Sequence, residues 1–423
     1  MKHGNINKIN LYPHQERVLE QIKGKKRVLL ALEMGLGKSL CASEHLKTLD
    51  YKFCLIVCPK SLIPMWQEHY IKFYNQEIND FTKTKKIVEG INIVNYDLIF
   101  RRKELLLIPN VTLILDEVNA IVNDKAKRTK AIRSMDIDNL IMLSGSIGRG
   151  KYENLFVLAK LLGALCTKQQ FYDRYIIQRE IQIQGQQFPI KIVCGYKNVE
   201  ELKYNMRKRN TIFLKTEQVI RLPEQTFIVN KVNPTKEYKI FKKDRIVVLN
   251  DGKELVGDCG LSKMLYERQL CGVYNKDKLI ALKDLLESTD NRVIIFYNFW
   301  DEFYAIEKIV KELDRPISVC NGKEHNMDNY DKYDNSVTLL QYASGSSGIN
   351  AQKANVMIYF TPCLSADFWM QSKKRIHRIN QTKPCFYYQL VVKNSIEEKI
   401  YEALARGEDF NDRLFEEYER GNG

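Results

Sequence analysis

Val28-Leu-Leu-Ala-Leu32-Glu33-Met-Gly35-Leu-Gly37-Lys38-Ser39 is an apolar run of strand length, broken by a glycine-rich turn and closed by a lysine and a serine. Leu40-Cys-Ala-Ser-Glu-His-Leu46 follows and reads as a helix. Strand, glycine loop and helix in this order form the context of a phosphate-binding loop. There the backbone N–H groups of the loop and of the helix N-terminus converge on an anion. In such a loop Gly35, Leu36 and Gly37 cradle phosphates through the backbone, and Lys38 neutralises β- and γ-phosphate charge. The Ser39 hydroxyl ligates Mg²⁺. The strict pattern opens with glycine six residues before the lysine, and Leu32 stands there. Read alone, the stretch also fits a plain glycine-rich turn.

Leu113-Ile-Leu-Asp116-Glu117-Val-Asn119 places two carboxylates at the C-terminal end of a second apolar run. Ligands of open α/β sheets collect at the carboxyl ends of strands. Asp116 is a candidate Mg²⁺ ligand, and Glu117 a candidate base for an attacking water. A strand-to-helix turn with an acidic cap is the bland alternative, and pairing with the loop upstream weighs against it.

The third stretch is Gln371-Ser-Lys-Lys-Arg375-Ile-His377-Arg378-Ile-Asn-Gln381. Spacings of four and three predict a helix face carrying Gln371, Arg375 and Arg378. Phe368, Ser372, Ile376 and Ile379 would line another face against a core. Guanidinium groups held in this way stabilise charge on a polyphosphate in the transition state. A solvated basic helix is the competing reading.

The 423 residues exceed a usual single domain, and hydrophobic content of 44% supports packed cores. A net charge of +14 points to a polyanionic partner, nucleic acid first. No apolar run reaches membrane-spanning length, and Met1-Lys-His-Gly-Asn-Ile-Asn has no apolar signal core. The ten cysteines are scattered without a Cys-x-x-Cys pair, as expected for reduced intracellular thiols.

Short apolar runs recur in two sets. Val28–Leu32, Phe53–Cys58, Ile91–Asn95, Val111–Leu115 and Leu140–Leu143 form the first; Val293–Phe296, Val337–Leu340, Val356–Phe360 and Phe386–Val392 form the second. Near-continuous apolar strands suit parallel sheets covered on both faces, so two sets predict two α/β lobes. Between them, residues 150 to 290 read as mostly helical and basic. Leu155 to Leu165 is expected as an apolar helix, and Pro223 and Pro234 as breaks. Ser395-Ile-Glu-Glu398 reads as a capping box opening a helix that ends at Gly407.

These motifs together resemble the Swi/Snf-like group of superfamily-two helicase-type ATPases, over a span from Leu11 to about Ala403. Leu11-Tyr-Pro-His-Gln15 resembles the adenine-recognising opening segment, which implies Gln15 at the base. Leu55-Ile-Val-Cys-Pro59-Lys60 through Trp66 is similar to a motif that contacts one DNA strand and implies a DNA role for Lys60. Asn95-Tyr96 falls at a further motif of the first lobe. Leu143-Ser144-Gly145-Ser146 resembles the motif coupling hydrolysis to lobe movement. Met206-Arg-Lys-Arg209 through Leu222-Pro223 resembles the basic helical linker. Ile294-Ile-Phe296 matches the first motif of lobe two, and Gly345-Ser-Ser-Gly348-Ile-Asn350 its DNA and coupling motif, implying Gly348 and Asn350. Residues 371 to 381 match the family's Gln-x-x-x-Arg-x-His-Arg-x-Gly-Gln at all but one position, and Ser395–Ile400 matches its closing segment.

The resemblance implies two RecA-like parallel-sheet lobes with a helical basic insertion: lobe one over 1–165, insertion and linker over 166–275, lobe two over 276–423. It implies ATP and Mg²⁺ as cofactors, with Lys38, Asp116, Glu117, Arg375 and Arg378 catalytic and Gln15, Gly35, Leu36, Gly37, Lys38, Ser39 and Gln371 on the nucleotide. Ser39 and Asp116 would hold the metal; Lys60, Ser144, Gly348 and Asn350 would contact DNA or couple to it. The implied partner is double-stranded DNA bound without sequence preference, with no membrane. The expected location is cytoplasmic or nucleoid-associated, as for a minimal motor of the kind small viral genomes encode.

Four departures from the family matter: Asn119 replaces His, Ser146-Ile147 replaces Thr-Pro, Asn380 replaces Gly, and Leu32 fills a place often held by Asp or Gly. The first two bear on coupling more than on hydrolysis. They keep open a nucleotide-gated DNA clamp with slow hydrolysis, and a strand-separating or branch-migration helicase stays open as well. Trp66, Trp300 and Trp369 read as packing residues rather than base-stacking platforms.

Overall fold

The computed structural model describes residues 9–145, 151–182, 188–249, 251–342, 349 and 351–406. The chain divides into two compact units, Met1–Ile220 and Arg221–Gly423.

The first unit contains β1 (Arg27–Leu32), β2 (Phe53–Cys58), β3 (Asn79–Asp80), β4 (Gly90–Asn95), β5 (Val111–Leu115), β6 (Ile137–Ser144), β7 (Ile176–Ile181), β8 (Ile190–Tyr196) and β9 (Thr211–Leu214). Seven of these strands form one sheet in the order β3-β4-β2-β5-β6-β1-β9, and every pairing is parallel. Parallel neighbours need long crossovers, here helices, which cover both faces and explain the continuous apolar runs. All five residues of β5 are buried. Strands β7 and β8 stand apart as an antiparallel pair.

One consequence of this order decides the site. β6 lies between β1 and β5, so the segments following these three strands emerge side by side at one sheet edge. At about 4.8 Å per strand spacing, the ends of β1 and β5 lie roughly 10 Å apart, within reach of a lysine side chain facing a carboxylate.

The second unit contains β10 (Gln225–Val232), β11 (Ile246–Val248), β12 (Glu254–Val256), β13 (Val293–Tyr297), β14 (Ile317–Cys320), β15 (His325–Asn326), β16 (Val337–Gln341), β17 (Val356–Tyr359) and β18 (Cys385–Val392). Its main sheet runs β10-β18-β17-β13-β16-β14-β15, parallel except for the β14/β15 edge pair. The strand after β13 is laid down on one side of it and β17 on the other, so the order reverses between β13 and β17.

Every apolar run expected as a strand is one. The stretch from 150 to 290, expected to be mostly helical, is mixed, with the antiparallel pairs β7/β8 and β11/β12 in it. Helices Val199–Lys208 and Lys236–Asp244 are present, but β9 and β10 lie between them as edge strands of the two main sheets. β10 alternates exposed and half-buried positions along its length, and its only continuous apolar run is the short Phe227–Val229. Pro223 lies in the irregular segment between β9 and β10, and Pro234 precedes the Lys236–Asp244 helix. The expected apolar helix is Leu155–Leu161. Ser395 caps the helix Ile396–Ala405 by accepting from Glu397 N (3.1 Å), while Glu398 accepts from Asn394 N (3.0 Å) instead of closing a capping box. Gly407 lies outside the described residues.

The second unit carries a fully buried ion pair. Lys278 Nζ stands 2.5 Å from Glu397 Oε1, with side chains 0% and 1% exposed. Glu397 Oε2 also accepts from Val392 N (2.9 Å), which ties the helix Lys276–Glu287 to the end of β18. Two charges out of water are tolerable only while each satisfies the other. Lys278→Met should cost about 3–5 kcal/mol by stranding the carboxylate. The double variant Lys278→Met/Glu397→Leu should recover most of that loss, read as urea midpoints.

Candidate functional site

The opening helix Pro13–Ile22 positions Gln15 against the glycine loop. Gln15 Oε1 accepts from Tyr12 N (3.0 Å), and its Nε2 donates to Leu36 O (3.2 Å). His14 Nε2 also lies 3.2 Å from Leu36 O, so two side chains of one helix grip the loop carbonyl. Gly35 (φ +90°) and Gly37 (φ +79°) adopt backbone that L side chains rarely take. A Cβ on Gly37 would also collide with the Gln15 amide, so this glycine is required twice over. The helix Lys38–Leu46 then starts at the loop, with Lys38 and Ser39 as its first two residues, both half-buried.

Lys38 reaches the end of β6. A Cβ on Gly145 would lie 3.2 Å from Lys38 Nζ and 3.0 Å from Met34 Cγ, so glycine after Ser144 leaves the ammonium its room. Ser144 itself is buried.

Asp116 follows β5 and is 4% exposed. Its Oδ2 accepts from Trp66 Nε1 (2.9 Å), its Oδ1 from Glu117 N (2.9 Å), and its backbone O from Tyr96 OH (2.8 Å). Its own N donates to Val57 O (2.9 Å), continuing the β2/β5 ladder one residue past the strand. Glu117, half-buried, has φ +53°. Left-handed backbone at a glutamate costs about 1–3 kcal/mol and persists only where the surroundings fix it, as the hydrogen bonds on Asp116 do here. Burial first, and the neighbouring Glu117 charge second, raise the Asp116 carboxyl to about 6; the Lys38 ammonium and the Trp66 N–H oppose the rise.

Trp66 was read from sequence as packing only. It is fully buried and it also holds the site carboxylate, a role no spacing rule marks because it comes from the helix Ile63–Tyr74. Tyr96 was singled out only by resemblance, and its hydroxyl turns out to hold the Asp116 carbonyl. Lys60 is exposed, at the start of the 3₁₀ turn Lys60–Leu62, and no contact joins it to this cluster.

The arginine stretch differs from its expected form. The helix ends at Lys373, so it carries Gln371, half-buried, but neither arginine. Arg375 N bonds back to Ser372 O (3.0 Å) in a turn, and the side chain, 2% exposed, donates from Nη1 to Ile349 O (2.9 Å). Continued helix would leave Arg375 on the same face as Gln371. Burial of Ile376 and of the Arg375 guanidinium against a carbonyl wins instead, a charge-assisted bond being about twice as strong as a neutral one. Gln381 Nε2 donates to Gln352 O (3.1 Å), Ala354 O (2.8 Å) and Ile376 O (3.1 Å), pinning the turn. Asn380 has φ +74°, the conformation for which glycine is the ordinary choice and asparagine a tolerated one. His377 Nε2 lies 2.8 Å from Pro223 O. Arg378 is half-buried, and burial lowers its pKa. Gly348, Asn350 and Ser146-Ile147 lie outside the described residues.

The first unit therefore brings together Gln15, Gly35, Leu36, Gly37, Lys38, Asp116, Glu117 and Ser144 at one sheet edge. The oxygen donors Ser39 and Asp116 suit Mg²⁺, which keeps waters and phosphate oxygens among its ligands rather than filling an all-protein cage. Among the described residues no cluster of three His, Cys, Asp or Glu could hold a metal alone.

Two parallel α/β units, one with a glycine loop, lysine and carboxylate pair at its carboxyl edge, define the RecA-like class of nucleotide-binding cores. The sequence matches the SNF2-related domain over residues 14–274 and the helicase conserved C-terminal domain over 277–380. The chain belongs to the SNF2-related family. It is similar to an uncharacterized ATP-dependent helicase of Mycoplasma pneumoniae (25% identical, over 97% of this chain and 42% of the relative). It is also similar to the uncharacterized ATP-dependent helicase YqhH of Bacillus subtilis (24%, over 93% and 77%) and to the DNA repair and recombination protein RAD54B of Mus musculus (23%, over 90% and 52%). The chain thus spans well under half the length of the Mycoplasma relatives, 42% and 38%. Among solved structures, the Sulfolobus solfataricus SWI2/SNF2 ATPase core in complex with dsDNA aligns over 98% of this chain and 94% of that one, at 23% identity and a TM-score of 0.48.

The raised Asp116 carboxyl gives a pH signature. Between 3.8 and about 6 the folded protein holds a proton that the unfolded chain has released, so stability falls as pH rises through this window and levels off above it. The full effect is of the order of 3 kcal/mol. Urea unfolding of metal-free protein from pH 4 to 7 should show that fall, and Asp116→Asn should flatten it.

Proposed function

We propose that this chain is a DNA-dependent ATPase that moves along duplex DNA. The observation carrying the reading is the cluster at the carboxyl edge of the first sheet, where Lys38 faces Asp116 across the end of β6. In this reading ATP phosphates lie in the 35–39 loop, and Lys38 neutralises them. Ser39 and Asp116 hold Mg²⁺, which offsets charge on the phosphoryl group. Glu117 orients the attacking water. The Trp66 and Tyr96 bonds fix Asp116 before any ligand arrives, so no reorganisation is needed during reaction.

Of the two arginines, Arg378 is the candidate for stabilising transition-state charge. Arg375, committed to Ile349 O, would hold the turn that presents it. Membership of the SNF2-related family and the net charge of +14 support DNA as the partner, and the mouse relative is named a DNA repair and recombination protein. Lys60 and the basic surface would contribute phosphate contacts, giving steeply salt-dependent binding with little sequence preference.

The test is ATP turnover with and without duplex, single-stranded and branched DNA. Duplex should stimulate most. Lys38→Ala and Glu117→Gln should each abolish turnover, with Glu117→Gln still binding ATP, and Arg378→Ala should lower kcat about a thousandfold. No turnover from folded wild-type protein under any condition would sink the ATPase. Nucleotide-dependent DNA retention without turnover would favour the clamp reading, and strand displacement on forked substrates the helicase reading.

A further inference from the structure

The second unit has a cavity of about 220 Å³ at the carboxyl ends of β13, β16 and β17, lined by Arg268, Asn298, Gln341, Tyr342, Cys363 and Ser365 among others. Its volume is several times the roughly 30 Å³ that a water molecule occupies in the liquid. It lies where the strand order reverses between β13 and β17, the position at which open α/β sheets take ligands.

Arg268 makes this cavity unusual. It comes from the helix Gly260–Cys271 and is only 8% exposed. Its guanidinium lies over the Phe299 ring (5.1 Å), and Nη2 donates to Pro362 O (3.3 Å). Its Nε has no partner among the described residues, and no carboxylate forms an ion pair with it there. The acid whose charge bears most on it, Glu302, does not line the cavity. Its Oε2 already accepts from Asn298 N (2.8 Å), Phe299 N (3.2 Å) and Thr361 Oγ1 (3.0 Å). Another buried cation, Lys278, is matched by Glu397. The Glu302 and Glu397 charges act on Arg268 without an ion pair, and a guanidinium nine-tenths buried with one long carbonyl contact stays costly; an anion in hydrogen-bonding reach would offset part of that cost.

Among the described residues the remaining lining carries no second charge. Ser365 is the N-cap of the eight-residue helix Ala366–Lys373, whose N-terminal end favours negative charge. Asn298 Nδ2 is bound to Thr361 Oγ1 (2.8 Å) and Pro362 O (3.0 Å), and Gln341 Nε2 lies 3.3 Å from Asn298 O. These bonds hold the loops after β13 and β17 in register around the arginine. Among the described residues no acidic side chain lines the cavity.

We propose that this cavity is a binding site for a phosphate-class anion, with Arg268 as its charged anchor. Two sources share that chemistry: a phosphodiester of bound nucleic acid, and free phosphate. The first rests on the DNA-motor reading above; the second does not.

The test uses the full chain in a Lys38→Ala background, which removes the glycine-loop phosphate site. Orthophosphate, titrated against chloride at equal ionic strength, should raise the unfolding temperature saturably. Adding Arg268→Met, close in volume and apolar, should abolish that rise. If Arg268→Met fails to fold, Arg268→Lys, which keeps the charge and loses the planar fork, should weaken the response at least severalfold.

In the same proteins, duplex DNA affinity is measured from low to moderate salt. A salt slope smaller by about one in the Arg268 variant identifies a phosphodiester as occupant. Loss of the orthophosphate response with an unchanged slope identifies free phosphate. A folded Arg268 variant that changes neither readout overturns the site. Absence of DNA-stimulated turnover in the wild type would instead sink the motor reading and leave the orthophosphate result standing.

Discussion

A carboxylate held 4% exposed at the end of a strand buried on both faces must have its charge answered locally, and Asp116 is that carboxylate. The answer determines much of the first unit. The indole N–H of Trp66 and the backbone N–H of Glu117 each take one oxygen, Tyr96 fixes the carbonyl, and Lys38 opposes the charge from across β6. Each group arrives on a different element. The parallel order that places β6 between β1 and β5 is therefore a condition of the site and not a background to it. Glu117 in left-handed backbone and glycine at 37 and 145 are local consequences of fitting these groups together.

The second unit meets a similar constraint differently. Three of the cationic side chains it buries are settled by separate devices. Lys278 has a carboxylate, Arg375 has a backbone carbonyl, and Arg268 has an aromatic face, one long carbonyl contact and a cavity. The first two devices close locally. The third leaves the charge facing open volume, the physical ground for assigning an anion there. The contrast also bears on the arginine stretch. Arg375 gives one nitrogen to the carbonyl that fixes its turn, and Arg378, three residues on, is half-buried.

Sequence alone determined the two sheets, because parallel strands covered on both faces must be continuously apolar, and that pattern is readable without any partner. It also placed the glycine loop, Lys38 and the Asp116–Glu117 pair, since backbone φ and residue type are local requirements there. Edge strands β9 and β10 escape a sequence reading, as their apolar runs, Ile212–Leu214 and Phe227–Val229, are only three residues long and their pairing depends on neighbours distant in the chain. The helix face drawn through Gln371, Arg375 and Arg378 failed for a related reason. Periodicity records what a helix would present and is silent on the pull of Ile349 O and the core on residues 375 and 376. Only the tertiary structure showed that Trp66 holds Asp116 and that Arg268 faces a cavity, since both depend on contacts between elements far apart in sequence, where no spacing rule reaches.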